Sequence, residues 1–253
     1  MSHTDRRVAT ESAGRTTGDC PAVLITGAQH GLGFAMARRM SYLGWRVYAG
    51  VLEESGEIAS LRETCGGRID PVILDVTRQV SIQSAFETVS GHGENIDIII
   101  NNAGIHPDSR DEPFESVDFF DGHLEAEMQV NAFGIVRVTQ AFLPLVGEAG
   151  WKRIINITSE AGSIGACRRK REFGYSMSKS AANMATMLLQ NALSDRDITV
   201  RALHPGWVRT PMAGPDADLS PQEAAEAVCA IVLDRALPER PVYMDWRGEA
   251  LPW

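Results

Sequence analysis

Ala22-Val23-Leu24-Ile25 runs directly into Thr26-Gly27-Ala28-Gln29-His30-Gly31-Leu32-Gly33, after which Leu32, Met36, Met40 and Leu43 recur at helical spacing up to Gly44. An apolar run, a glycine-rich turn and an amphipathic stretch read as strand, turn and helix. Three glycines at a strand mouth cost backbone entropy, so a reason is expected for each. Gly27 permits the tight turn, Gly31 lets the backbone approach a diphosphate, and Gly33 allows close packing of helix on strand. The helix N-terminus then offers free N–H groups and the positive end of its dipole. A merely flexible turn is the plainer alternative.

The same alternation continues outward. Strands are expected at Arg46–Ala49, at Pro71–Leu74 with its Pro at the strand start, and at Ile96–Ile100, Arg153–Ile157, Ile198–Leu203 and Pro241–Met244. Between them lie a stripe of Ile82, Phe86 and Val89 and a long helical region over 117–146 with Val130, Phe133, Val136 and Val138. Helices also follow over 175–194 and around Ala224, Val228, Ile231 and Val232. Near-continuous apolar strands are buried on both sides. Seven strands with interposed helices predict an α/β fold: one doubly wound parallel sheet, helices on both faces, in one domain over 21–253. Residues 1–20 read as a disordered polar tail without the apolar core of a signal peptide. Ligands of such sheets bind outside the carboxyl ends of the strands, which makes the residues just after each strand the informative ones.

Bulk properties exclude several classes. The chain has 253 residues, 24 Lys+Arg against 33 Asp+Glu, a net charge of −9 and 44% hydrophobic residues. An acidic balance argues against nucleic-acid and membrane-surface binding, and no apolar run approaches the roughly 18 residues of a membrane span. Cys20, Cys65, Cys167 and Cys229 are scattered, with neither disulfide-scaffold nor zinc spacing, so no metal is expected and a cytoplasmic location is.

The strand ends carry the chemistry. Strand three ends in Asp75-Val76, where a carboxylate can accept from an adenine amino group. Strand four ends in Asn101-Asn102-Ala103-Gly104, where the Asn101 amide can brace neighbouring backbone. Turn or cap roles are the ordinary alternative for each. Tyr175 and Lys179 stand at i, i+4 on one helix face. An ammonium there lowers a phenol's proton affinity, and a phenol so tuned exchanges a proton with an alcohol oxygen. Ser159, at the end of strand five, can hydrogen-bond the same oxygen. Asn131 sits mid-helix, where an amide is unfavourable; it either braces structure or holds a water linking Lys179 to solvent.

Taken in order, Thr26–Gly33, Asn101–Gly104, Asn131, Ser159, Tyr175 and Lys179 resemble the short-chain dehydrogenase/reductase family over about residues 21–253. The resemblance implies a Rossmann architecture and a catalytic tetrad of Asn131, Ser159, Tyr175 and Lys179. It implies a nicotinamide dinucleotide, NAD(P), held by Gly27, Gln29, His30, Gly31, Leu32 and Gly33. Asp75 and Val76 would lie at the adenine, and Asn101, Ala103 and Gly104 on the ribose side, with Tyr175 and Lys179 contacting the cofactor as well. His204-Pro205-Gly206-Trp207-Val208-Arg209-Thr210 looks like the segment that shields the nicotinamide, through Pro205, Gly206, Val208 and Thr210. Gly206–Thr210, Gly214–Ala217, Ser220–Glu223 and Gly248–Trp253 are similar to the C-factor and sniffer-like carbonyl reductases. The implied reaction is hydride exchange between nicotinamide and a small-molecule carbonyl or secondary alcohol, in a homodimer or homotetramer paired through the helices at 117–146 and 175–194.

Val51-Leu52 at the end of strand two is neither the acid that selects NAD nor a base that selects NADP. Glu53 and Glu54 come late and are read as starting the next helix. His30 and the subfamily favour NADP. Arg168-Arg169-Lys170-Arg171 hang over the expected pocket, where Arg168 and Arg169 are candidates for a substrate carboxylate or phosphate; a solvated loop is the plainer reading. The rivals are a non-catalytic dinucleotide-binding regulator on the same fold and a nucleotide-sugar epimerase or dehydratase. The regulator has no use for Tyr175 and Lys179, and the epimerase usually carries a larger C-terminal substrate domain.

Overall fold

In the computed structural model, which describes residues 20–93, 95–107, 113–147 and 150–253, the run Ala22–Ile25 forms strand β1. The expected tail lies, apart from Cys20, outside the described residues. The other strands are β2 Arg46–Val51, β3 Ile69–Ile73, β4 Ile98–Asn101, β5 Arg153–Ile157, β6 Thr199–His204 and β7 Tyr243–Asp245. They form one seven-stranded sheet in the order β3-β2-β1-β4-β5-β6-β7, parallel throughout. The order reverses between β1 and β4, which pair as Leu24↔Ile99 and Ile25↔Ile100. A crevice therefore opens at their carboxyl ends, beside the glycine turn.

The pleat divides each strand between two cores. Val23 and Ile25 of β1 and Ile98 and Ile100 of β4 face helices α1 (Gly31–Tyr42) and α7 (Pro221–Val232), with Met36, Met40 and Val228. Leu24 and Ile99 face the other way, onto Ile82 and Val89 of α3 (Gln79–Ser90) and Phe142 of α5 (Gly134–Phe142). Helix α6 (Phe173–Leu193) covers that second face and contributes Leu193 to its core. The ends of α7 are written locally: Ser220 and Glu223 form a reciprocal capping box with Pro221 behind the cap.

Four local expectations need correction. Pro71 lies inside β3 rather than at its start, opposite Ala49; β3 is an edge strand, whose outer side has no ladder to lose. Ile96 lies before β4 and forms an isolated bridge to Val146. The acid in the first turn of α2 (Gly56–Thr64) is Glu57, and Ser55 caps that helix, so Glu53 and Glu54 precede it. The long helix starts at His123 rather than at 117. Asp118 and Asp121 accept the backbone N–H groups of Phe120 and His123, and Gly122 is left-handed, so turns outcompete helix there. From α4 (His123–Glu127) the chain widens into a π-helical segment, Met128–Phe133, before α5. At the far end Pro144 accompanies a 3₁₀ turn over Leu143–Leu145.

Candidate active site

Gly27 and Gly31 have φ of 65° and 57°, a left-handed backbone that favours glycine. Gly33 is helical, and its constraint is space. A Cβ there would overlap the Gly27 carbonyl oxygen and lie 2.5 Å from Asn102 Nδ2. His30 caps α1 with no side-chain bond, and the first turn holds no acid. The N–H groups of that turn thus face the crevice with a positive dipole end and no carboxylate competing for them. Across from them, the methyl of Thr210 would lie 3.1 Å from a Cβ on Gly31, so the segment after β6 closes over the glycine turn. This narrow, anion-seeking cradle fits a dinucleotide diphosphate.

The segment after β4 forms the next wall. Asn102 Nδ2 donates to the carbonyls of Thr26 and Gly27, while the N–H groups of Asn102 and Ala103 donate to Thr26 Oγ1. Asn102 and Thr26, neither given a role from sequence, thus lace the glycine turn to Ala103 and Gly104. Asn101 points to the opposite side of the pleat. Its amide donates to Asn156 Oδ1 (2.8 Å) and Thr139 Oγ1 (3.1 Å) in a buried polar seam. Its side chain is therefore committed to that seam, and the alternation of strand side chains puts it there. Asp75 Oδ1 accepts from Thr77 N–H and Oγ1, and Val76 is buried against Gly134 at the start of α5. Gln29 accepts from Leu52 N–H, tying Leu32's turn to the end of β2, and His30 is exposed.

The tetrad residues converge at the same strand ends. Ser159 follows β5, caps a 3₁₀ turn with Oγ accepting from Ala161 N–H, and hydrogen-bonds Tyr175. The Lys179 ammonium lies 5.6 Å from the Tyr175 ring centroid and donates to Ile157 O at 3.0 Å. Asn131 stands in the π segment, a geometry often found at functional sites. Its amide bonds both backbone groups of Ile105 and donates to Ser178 Oγ. Gly104 leaves open the space between Asn131 Oδ1 and Lys179 Nζ, which would lie 3.3 and 3.6 Å from a Cβ there. After β6, Gly206 has φ of 85° beside Pro205, and Val208 is buried.

The electrostatics depart from the simple lysine–phenol argument. Burial pushes the Tyr175 phenol up; its bond to Ser159 and the charge of Arg169 pull it down, while Glu160 and Glu127 push it up. Burial lowers Lys179 to about 8, with Glu127 opposing. Desolvation, which spacing cannot reveal, outweighs the pairing.

Arg168, Arg169, Lys170 and Arg171 are exposed, as a solvated loop would be. Arg169 is not a free cation: it bridges Glu160 and Glu172. Arg168 donates to the Cys167 carbonyl. Two acids and a histidine beside Tyr175 (Glu127, Glu172 and His106) carry no pattern that sequence reading could have used.

No helix among the described residues is long and apolar enough to cross a membrane. A family model described as short chain dehydrogenase matches residues 21–219. The human 17-beta-hydroxysteroid dehydrogenase type 2 is 35% identical over 200 residues, 78% of this chain and 49% of that protein, so the chain spans about half of that relative's length. C-signal of Myxococcus xanthus is 33% identical over 159 residues, 62% of this chain and 93% of that protein. Among solved structures, the NADPH-bound carbonyl reductase from chicken fatty liver superposes with a TM-score of 0.80 at 25% identity, covering 92% of this chain and 99% of that one. With the glycine turn, the tyrosine–lysine helix and the sheet order all in place, the chain belongs to the short-chain dehydrogenase family.

Proposed function

We propose that the protein is an NAD(P)-dependent oxidoreductase that interconverts a carbonyl and a secondary alcohol on a small molecule. The observation that carries this reading is the convergence of Ser159, Tyr175 and Lys179 at the crevice whose other wall is the glycine turn. A bound nicotinamide dinucleotide supplies or accepts the hydride. Gly27, Gly31 and Gly33 and the open N-terminus of α1 hold its diphosphate. Thr210, Val208 and Gly206 cover it from the β6 side. In the reductive direction Tyr175 donates its proton to the carbonyl oxygen as negative charge develops there, and Ser159 Oγ hydrogen-bonds that oxygen. Lys179, fixed by Ile157 O, binds the ribose and places positive charge under the phenol, and Asn131 with Gly104 leaves a polar path behind it.

NADP is favoured over NAD. Val51 and Leu52 present no acid to repel a 2′-phosphate, His30 is exposed at the glycine turn, and the carbonyl reductase neighbour is NADPH-bound. We further assign a homo-oligomer paired through α4–α5 and α6, which leave Phe133, Val136, Met177, Met184 and Leu188 exposed. A cytoplasmic setting suits four free cysteines.

The test is a panel of aldehydes, ketones, quinones and secondary alcohols followed by nicotinamide absorbance with both dinucleotides. Tyr175→Phe is expected to lower kcat by roughly 10²–10⁴-fold while dinucleotide binding persists. Wild-type turnover in that variant overturns the assignment of Tyr175. Tight dinucleotide binding with no turnover across the panel overturns the catalytic reading in favour of a regulator.

A further inference from the structure

His106 lies two residues past Gly104, and its ring stacks on that of Tyr175 with centroids 4.3 Å apart and planes 26° from parallel. Both edges of the imidazole are held. Nδ1 is 3.3 Å from Glu127 Oε1, and Nε2 is 3.2 Å from Glu172 Oε1. A doubly protonated ring donates to both carboxylates, a neutral one to a single carboxylate. Glu127 is 4% exposed, so this is an interior contact rather than a surface pair. Glu172 meets Arg169 with its other oxygen, and Arg169 meets Glu160. The result is a continuous chain of polar contacts, Glu127–His106–Glu172–Arg169–Glu160.

The placement of that chain ties it to catalysis. Glu127 ends α4, just ahead of Asn131. Glu172 is the cap of α6, just ahead of Tyr175. Glu160 directly follows Ser159. Each segment that delivers a tetrad residue is therefore pinned to the next, the first pair through His106 and the second through Arg169. Glu172 also has φ of 61°, a left-handed conformation that is strained for a non-glycine residue. Such a conformation persists where surrounding contacts over-determine it, and its ties to His106 and Arg169 do so. Gly174 completes the fit, since a Cβ there would press on the Glu127 carboxylate, 3.1 Å from its Cδ.

We propose that His106 is a positioning residue for Tyr175. Held edge-on by Glu127 and Glu172, its ring fixes the plane of the phenol so that the hydroxyl meets the substrate oxygen beside Ser159. The charged groups around it are Glu127 from α4, Glu172 from the start of α6, and Arg169 and Glu160 from the segment after β5. Lys179 on α6 also feels Glu127. The proposal rests on Tyr175 being the proton donor.

The experiment compares His106→Ala, His106→Phe, Glu172→Ala, the double variant His106→Ala/Glu172→Ala and Tyr175→Phe, using the best carbonyl of the panel and NADPH. Dinucleotide Kd is read by fluorescence and folding by circular dichroism. Expected is a fall in kcat of roughly ten- to a hundredfold for His106→Ala, with Kd within about twofold of wild type. His106→Phe recovers part of kcat by restoring a stacked ring. The double variant is no slower than the slower single, because both break one chain. A kcat for His106→Ala within about twofold of wild type overturns the proposal, and so does a loss matched by equal weakening of dinucleotide binding. Should His106→Ala fail to fold, Glu172→Ala decides by the same criteria. Unimpaired turnover in Tyr175→Phe overturns the assignment of Tyr175 instead, whatever His106 does.

Discussion

Gly33→Ala isolates the close approach in the glycine turn from backbone strain. Gly33 lies in the first turn of α1 with an ordinary helical backbone, so its φ poses no obstacle to alanine. On an open helix the change would stabilise by up to about 1 kcal/mol through propensity. Here the added Cβ would overlap the Gly27 carbonyl oxygen and sit 2.5 Å from Asn102 Nδ2 and 2.9 Å from the Gly27 carbonyl carbon. That is roughly 1 Å inside the ~3.5 Å at which heavy atoms rest against each other. Two of those atoms are backbone, which no rotamer change relieves, and the third belongs to the amide that laces Thr26 and Gly27 to the β4 segment. Overpacking of this kind costs about 1–3 kcal/mol, which offsets and outweighs the propensity gain. The larger effect falls on the dinucleotide. Relief requires the Gly27 peptide to move by a distance comparable with that overlap, which removes roughly 10²-fold from a property that depends on placement. The assay is titration of NADPH by fluorescence alongside thermal denaturation. Gly56→Ala serves as control, at the first position of α2 with nothing within 4 Å of its Cβ. Gly56→Ala should hold or raise Tm and leave Kd alone. If Gly33→Ala behaves like Gly56→Ala, the close approach does not constrain the turn and the argument for the cradle fails.

Three further outcomes are expected. Lys179 holds its proton more weakly folded than unfolded, with a value near 8 against 10.5, so the unfolded chain binds more protons between those values. Stability of the dinucleotide-free protein therefore gains on the order of 3 kcal/mol as pH rises through that window. Comparing urea midpoints of wild type and Lys179→Met at pH 7.5 and 10 checks this, and equal pH dependence in the two would refute it. Asn102→Ala should weaken NADPH binding. Asn101→Ala should instead lower Tm by leaving Asn156 and Thr139 with buried unmet groups, at a cost of about 1–3 kcal/mol, and leave Kd unchanged. Removing Arg169, which pulls the Tyr175 phenol down, should raise the apparent pKa in the pH profile of alcohol oxidation, whereas Glu160→Gln should lower it.

Much of the fold was legible because a parallel sheet buried on both faces leaves short apolar runs. Val23 and Ile25 serve one core and Leu24 the other, so no polar residue interrupts β1. The unread parts lie where a local signal had two meanings. Val117 to Gly122 adjoin a helical stripe, yet Asp118 and Asp121 commit their carboxylates to turn N–H groups. Asn101 and Asn102 are the same residue type side by side. Only the pleat decides that one joins the seam with Asn156 and the other grips the glycine turn.

The tyrosine–lysine pair shows a deeper limit. A spacing of four residues on a helix guarantees proximity, and proximity of unlike charges suggests a lowered phenol. The sign of the shift, however, depends on how much water each group has lost and on which distant residues stand nearby. In the fold, burial acts on both partners and weakens Lys179 as a source of positive charge, while Glu127 and Glu160 arrive from elsewhere in the chain to favour the protonated phenol. The basic run at 168–171 shows the same dependence on distant residues. A count of cations says nothing of their pairing, and Arg169 is met by two carboxylates from flanking segments. Under the proposed reaction these facts have one consequence. Burial makes the phenol a weaker acid, so proton donation to a carbonyl oxygen also calls for positive charge close by. Oxidation of an alcohol requires the phenolate, and so depends on the positive charge that Lys179 and Arg169 keep beside it.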